Sequence, residues 1–281
     1  MRRVFLPRSL QELWKILEDE PQVSLYAGGT DLLVKMRSGL IQPRQMVCLE
    51  RIGDLKRVED RGEEISIGPC MTFTGLLRDG LIRSHLSVLA KGLEVLGSPP
   101  IRNMGTIGGN IVTASPAGDT LPPLYVLGAE IELRKRDSSR RLPLEDFIKG
   151  PGETLLGPGE VLAAIFIRKR TDRNVHHYEK VGQRKALAIA IVSLAAVIDL
   201  SEDGTVREAR LAWGSVAPTV IMSAEVERML VGHRLSRQVL EEAAQVVRRM
   251  VKPIDDIRAS SNYRRQVAGN LLLRLHGQRK V

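Results

Sequence analysis

Two short stretches of this chain could do the same chemistry. In "YAGGTDLLVKMRSG", residues 26 to 39, Gly28 and Gly29 lead into Thr30 between an apolar run and a short amphipathic one. In "GTIGGN", residues 105 to 110, Gly108 and Gly109 follow Thr106 and lead into Asn110. Glycine lets a ligand approach the backbone without meeting a Cβ, and N–H groups at a strand-to-helix turn favour an anion. One such pair alone is better explained as a tight turn. Two in one chain suit a dinucleotide pyrophosphate gripped from both sides. The amides of Gly28, Gly29, Gly108 and Gly109 would line it, with the hydroxyls of Thr30 and Thr106 donating to its oxygens. Asn110 could recognise a sugar or base edge. Asp119 could accept from ribityl or ribose hydroxyls, although a turn or N-cap role before "TLPPL" suits it equally. Neither stretch has the G-x-G-x-x-G spacing of a Rossmann turn, and there is no Walker pattern.

These residues need elements to hold them. "VSLYA" has the pattern of a buried strand, and "DLLVKMRS" that of a helix opening on Asp31 as N-cap and stopping at Gly39. With "VFL", "SLQELWKILED" and "QMVCL" they give a strand, helix, strand, helix, strand unit. Its first helix carries a capping-box spacing from Ser9 to Glu12. The next portion alternates strand candidates "EISIGP", "AEIELRKR" and "EVLAAIFIRK" with helices near "MTFTGLLRDG" and "SHLSVLAKGLEVLG". Within it, "GSPPIRNMGTIGGNIVTASPAGDTLPPL" shows little periodicity and is expected to be a long functional loop. After Asn174, "VHHYEKVG", "LAIAIVSLAAVIDL" and "VREARLAWGSV" predict three strands, followed by helices near 223–231, 236–251 and 261–276. The expectation is an α+β chain with units at 1–52, 53–172 and 173–281, the last a three-stranded sheet with helices on one face.

Composition narrows the function. A net charge of +9 and a pI near 9.8 invite a nucleic-acid reading. Against it, the basic residues are scattered in short groups, and aromatics, at 4%, are too few for stacking platforms. Cys48 and Cys70 are the only cysteines, which excludes a disulfide framework and an iron–sulfur cluster and leaves packed, reduced thiols. No zinc site is expected, because His176 and His177 would point to opposite faces of a strand and His85, His233 and His276 are isolated. There is no Ser-His-Asp grouping. No apolar segment approaches a membrane span, and "MRRVFLPRSLQELW" lacks a signal-peptide core, so a cytoplasmic protein is expected.

"AGGTDLL", "IRNMGTIGGNIVTASPAGDTLPPL" and "YEKVGQRKALAIAIVS", in this order, resemble the FAD-binding medium subunit of the molybdenum hydroxylases, the xanthine dehydrogenase and aerobic carbon monoxide dehydrogenase family. The likeness spans essentially the whole chain. It implies a bipartite FAD-binding domain of the vanillyl-alcohol-oxidase (PCMH) type, a carbon monoxide dehydrogenase flavoprotein-type C-terminal domain, and FAD as cofactor. The implied contacts are Ala27, Gly28, Gly29, Thr30, Asp31 and Leu32 in the first loop and Thr106, Ile107, Gly108, Gly109 and Asn110 in the second, with Asp119, Leu162 and Lys180 beyond them. Lys180 would stabilise the negative charge of a reduced flavin, whereas taken without the motif it is a surface lysine at a strand end. Some relatives place an aromatic residue about eight positions after the lysine; here Ala188 stands instead. The implied partners are a molybdenum-cofactor large subunit and a [2Fe-2S] small subunit in a hetero-oligomer, with this chain passing electrons to an external acceptor. A self-contained flavin oxidase or reductase of the same fold is the alternative.

Overall fold

A computed structural model describes residues 2–170, 172–184 and 188–278. The apolar runs of the first 48 residues form a parallel three-stranded sheet in the order Arg3–Phe5, Gln45–Cys48, Ser24–Tyr26. Parallel neighbours need crossovers, supplied here by the helices Leu10–Asp19 and Leu32–Arg37. The first helix buries Leu13 and Trp14 against Val47, Ile52 and Leu55. Ser9 caps it by accepting from the Glu12 amide at 3.1 Å, while the Glu12 carboxylate accepts from the Arg8 amide, one residue before the position a capping box would use. Gly39, at φ +78°, ends the second helix in the left-handed region.

A second, antiparallel sheet runs Val58–Asp60, Glu64–Ile67, Val161–Arg168, Glu130–Arg134, Ser139–Pro143. Its central strand is buried from Val161 to Ile167, as the unbroken run "VLAAIFI" requires. The segment expected to be a long loop is instead largely helical, with Pro99–Met104, Ile107–Thr113 and Leu121–Val126. Each is too short to show a 3.6-residue period. Their starts are nevertheless written locally: Ser98 and Thr106 cap the first two with side-chain oxygens, and prolines occupy the opening turns of the first and third.

The third sheet has four strands, not three: Val175–Val181, Val192–Leu200, Val206–Gly214 and Ile221–Met222. The last pairs only Met222 with Ala212 and Ile221 with Trp213, and two residues carry no readable alternation. Helices Ala224–Leu230, Arg237–Met250 and Ser261–Leu273 follow. Trp213 is fully buried beneath them and donates its indole N–H to the Ala268 carbonyl. Among the described residues no helix is long and apolar enough to cross a membrane, and no group of three metal-ligating side chains occurs. Cys48 and Cys70 are buried and unpaired, and burial pushes the Cys70 thiol up to about 12.

The edge strand Val175–Val181 carries two half-buried histidines whose basicity burial depresses. His176 Nδ1 and His177 Nε2 have no hydrogen-bond partner, so protonation there gains nothing from a neutral acceptor. The unfolded chain therefore binds protons these rings refuse when folded. Their contribution to stability is present above an unfolded pKa of about 6.5 and is lost as pH falls through the lower folded values. The melting temperature is expected to drop below about pH 6.5, and less steeply in His177→Gln. Equal slopes in calorimetric scans of the two proteins would assign the acid loss to other groups.

Candidate functional site

A cleft of about 570 Å³ opens where the first sheet, the Ile107–Thr113 helix and the start of the Val161–Arg168 strand meet. It is lined by Ala27 through Leu32, Thr106, Gly108, Gly109, Asn110, Asp119 and Leu162, residues from three separate parts of the sequence. Ile107 is turned into the core, fully buried. Lys180 stands behind Asp119 and reaches the cleft through it.

The first loop is a set of open donors. The amides of Gly28, Gly29, Thr30, Asp31 and Leu32 find no acceptor among the described residues. Gly29, at φ +68°, provides the left-handed turn that points successive N–H groups to one side. Asp31 makes no side-chain cap bond, contrary to the expectation that it would be the helix N-cap. Its own αR conformation takes the carboxylate away from the helix end. That carboxylate instead pairs with Lys35 at 2.7 Å and accepts from the Thr113 hydroxyl at 3.3 Å, leaving the helix start unsatisfied.

The second loop is built differently. Thr106 accepts from the Gly109 amide at 3.2 Å, the Gly108 amide donates to the Pro69 carbonyl at 2.9 Å, and the Asn110 amide donates to the Thr106 carbonyl at 3.0 Å. These N–H groups are already committed within the protein, and the Asn110 side-chain oxygen accepts from the Thr120 hydroxyl at 2.6 Å, so the second loop offers the Thr106 hydroxyl, the bare Gly109 backbone and the Asn110 side-chain NH2. The glycines also differ in purpose. A Cβ on Gly28 would lie 1.7 Å from the Met104 carbonyl oxygen, and one on Gly108 would lie 2.4 Å from the Pro69 side chain. Both positions are glycine so that protein can pack on protein. Only at Gly109 would a Cβ meet nothing but the Thr106 hydroxyl, at 3.0 Å, and otherwise project toward the cleft.

Asp119 and Lys180 form a buried ion pair of 2.7 Å, their side chains 9% and 8% exposed. Lys180 is thus no surface lysine; it also donates to the Val95 carbonyl at 2.7 Å. The second Asp119 oxygen accepts from the Tyr178 hydroxyl at 3.1 Å. Burial pushes the Asp119 carboxyl up, and this outweighs Lys180 and Tyr178, which pull it down. Tyr178 opens the "YEKVGQ" stretch of the resemblance, but the sequence reading gave it no role in the site. The remaining wall is apolar: Leu25, Phe73, Ile101, Val112 and Leu162, with Ala188 and the exposed Ile189. Open amides at one end, a hydroxyl and a side-chain amide beside them, the Asp119 carboxylate and a long apolar wall fit a dinucleotide carrying a diphosphate and a flat ring.

Two family models match the chain: the FAD binding domain in molybdopterin dehydrogenase over residues 1–168, and the CO dehydrogenase flavoprotein C-terminal domain over residues 177–278. The chain is 31% identical over 261 residues to the xanthine dehydrogenase FAD-binding subunit of Escherichia coli O157:H7, covering 91% of this chain and 88% of that one. It is 31% identical over 266 residues to the glyceraldehyde dehydrogenase medium chain of Sulfolobus acidocaldarius, covering 95% and 94%. Its fold superposes on a chain of the reconstituted CO dehydrogenase from Oligotropha carboxidovorans with a TM-score of 0.91 at 29% identity, covering 98% and 96%. The glycine loops, the cleft they share and these matches along the whole length agree: the chain belongs to the FAD-binding medium-subunit family of the molybdenum hydroxylases, oxidoreductase subunits whose cofactor is FAD.

Proposed function

We propose that this chain is the electron-transfer subunit of a molybdenum hydroxylase complex. It takes electrons from the [2Fe-2S] clusters of a small partner subunit, which a molybdenum-cofactor large subunit supplies by oxidising substrate, and passes them to an external acceptor. When bound, FAD supplies a carrier that accepts electrons singly and releases them in pairs. The observation that carries the reading is the run of five open amides, Gly28 to Leu32, facing a cleft with an apolar wall. In this reading those amides and the Thr30 and Thr106 hydroxyls hold the diphosphate. Asn110 recognises a sugar or base edge, Asp119 accepts from a hydroxyl of the sugar chain, Leu162 walls the ring, and Lys180 sets the charge beside it. We also propose that 1–52 and 53–172 are the halves of a vanillyl-alcohol-oxidase-type domain and that 173–281 is the C-terminal domain, since each range has its own sheet.

The purified chain is expected to bind FAD more tightly than FMN, because the amide run addresses a second phosphate that FMN lacks. Co-expressed with genes for an iron–sulfur and a molybdenum protein, it should co-elute with both and reduce an acceptor only in that assembly. Equal FMN affinity by calorimetry would refute the diphosphate assignment. A chain that oxidises a small molecule alone and associates with neither protein would establish a self-contained flavoenzyme instead.

A further inference from the structure

Behind the cleft wall, two groups hold one carboxylate. The Tyr178 hydroxyl donates to one Asp119 oxygen at 3.1 Å, and Lys180 donates to the other at 2.7 Å. Ser193, 2% exposed on the neighbouring strand, lies near enough to the Tyr178 oxygen to pull the phenol down against burial. The Tyr178 ring is partly exposed, but its hydroxyl end is buried, and burial together with Asp119 keeps the phenol well above its usual range, so it is a neutral donor.

Two glycines allow close packing around these groups. Gly92 lies inside the Ser87–Glu94 helix, where glycine weakens the helix, yet a Cβ there would come within 3.1 Å of the Pro123 side chain and 3.2 Å of the Asp119 backbone carbonyl. A Cβ on Gly214 would lie 2.5 Å from the Ser193 hydroxyl. Gly214 leaves space for the Ser193 hydroxyl, and Gly92 for the backbone that carries Asp119.

We propose that Tyr178 is a positioning residue of the cofactor site: from behind the wall it holds Asp119 ionised and turned so that its remaining lone pairs face a hydroxyl of the bound cofactor. This rests on the FAD reading of the cleft given above. A carboxylate oxygen can accept more than one hydrogen bond, so the Tyr178 and Lys180 bonds orient Asp119 without using up its capacity. Among the described residues, Lys180 is the charged group acting on Asp119, and Tyr178 is its other titratable neighbour. Lys91, on the facing helix, is directed to the His176 carbonyl, and Glu179 lies within reach of His177 and Arg274. Removing the Tyr178 donor raises the pH at which Asp119 protonates, and a protonated carboxyl accepts poorly.

The test is FAD affinity of the full chain, measured by fluorescence titration from pH 5 to 9, with melting temperature recorded alongside. Tyr178→Phe is expected to weaken FAD about tenfold near neutrality, the effect of losing one hydrogen bond to a charged group, and to lose affinity on acidification at a higher pH than wild type. Ser193→Ala, which frees the phenol but keeps the ring, should shift the profile the same way by less, and serves if the Phe variant does not fold. Asp119→Asn should be weak and flat with pH, and adding Tyr178→Phe to it should cost nothing more. If Tyr178→Phe keeps wild-type affinity and pH profile while Asp119→Asn loses both, the positioning role fails and the reading of Asp119 stands. If Asp119→Asn binds FAD as wild type does, the hydroxyl contact itself is wrong. Equal weakening by Tyr178→Phe with and without Asp119 would reduce Tyr178 to a packing residue.

Discussion

Gly109→Val should leave a folded chain that holds FAD far more weakly. The built Cβ at this position has one near neighbour, the Thr106 hydroxyl at 3.0 Å, and the backbone is free of the left-handed strain that makes glycine obligatory elsewhere. Valine is a slightly better helix residue than glycine, so the Ile107–Thr113 helix survives. Its methyl groups, however, enter the space beside the open amides of Gly28 to Leu32. Forcing atoms into a fitted site costs about 1–3 kcal/mol, so affinity should fall roughly 10- to 100-fold with little change in melting temperature. Gly28→Ala is the contrasting case. Its Cβ would lie 1.7 Å from the Met104 oxygen and 2.5 Å from the carbonyl carbon, both backbone, so the two loops must part. That variant should lose FAD and stability together. A Gly109→Val protein with full affinity, or a Gly28→Ala protein that melts as wild type does, would refute this division of labour between the glycines.

Lys180→Met should damage both stability and redox behaviour. Breaking a buried ion pair by removing one partner leaves the other charge uncompensated, a loss of about 3–5 kcal/mol, or roughly 10 °C in a chain of this size. The stranded group is Asp119, 9% exposed, with only the Tyr178 hydroxyl left as donor. Its carboxyl, already raised by burial, rises further without the ammonium. The sign follows: in the variant, ionised Asp119 destabilises the fold above its folded pKa, and stability recovers as acid protonates it. The gap to wild type should therefore narrow as pH falls, and Lys180→Met combined with Asp119→Asn should regain most of the loss. In the reconstituted protein the flavin potential should fall, because removing the ammonium leaves net negative charge beside the site. The double variant should restore part of it. An unchanged melting curve would show that the pair contributes nothing to the fold, and an unchanged potential in a spectroelectrochemical titration would place its charge out of reach of the ring.

What the sequence determined was whatever depends on neighbours along the chain. Apolar runs such as "VSLYA" and "VLAAIFI" have the length and composition of strands, and the spacing of Leu13 and Trp14 after a Ser9 cap defines a helix face, so the order of elements was legible. The paired glycine motifs carried the family and the cofactor for the same reason: residue type and spacing are local properties. Short elements lost that legibility. Helices of six or seven residues between 99 and 126 complete too few turns to show a period, and the Ile221–Met222 strand exists only because Ala212 and Trp213 pair with it. The tertiary structure alone decided how the site is divided. Gly28 and Gly108 are glycine because Met104 and Pro69 press on them, the second loop's amides are already committed, and the first loop's are open. Asp119 meets Tyr178 and Lys180 across 59 and 61 positions of sequence, and no propensity or period connects residues that far apart. That pairing is fixed when the third sheet docks against the Ser87–Glu94 and Leu121–Val126 helices, because only then do a buried carboxylate and a buried ammonium share one space from which water is excluded.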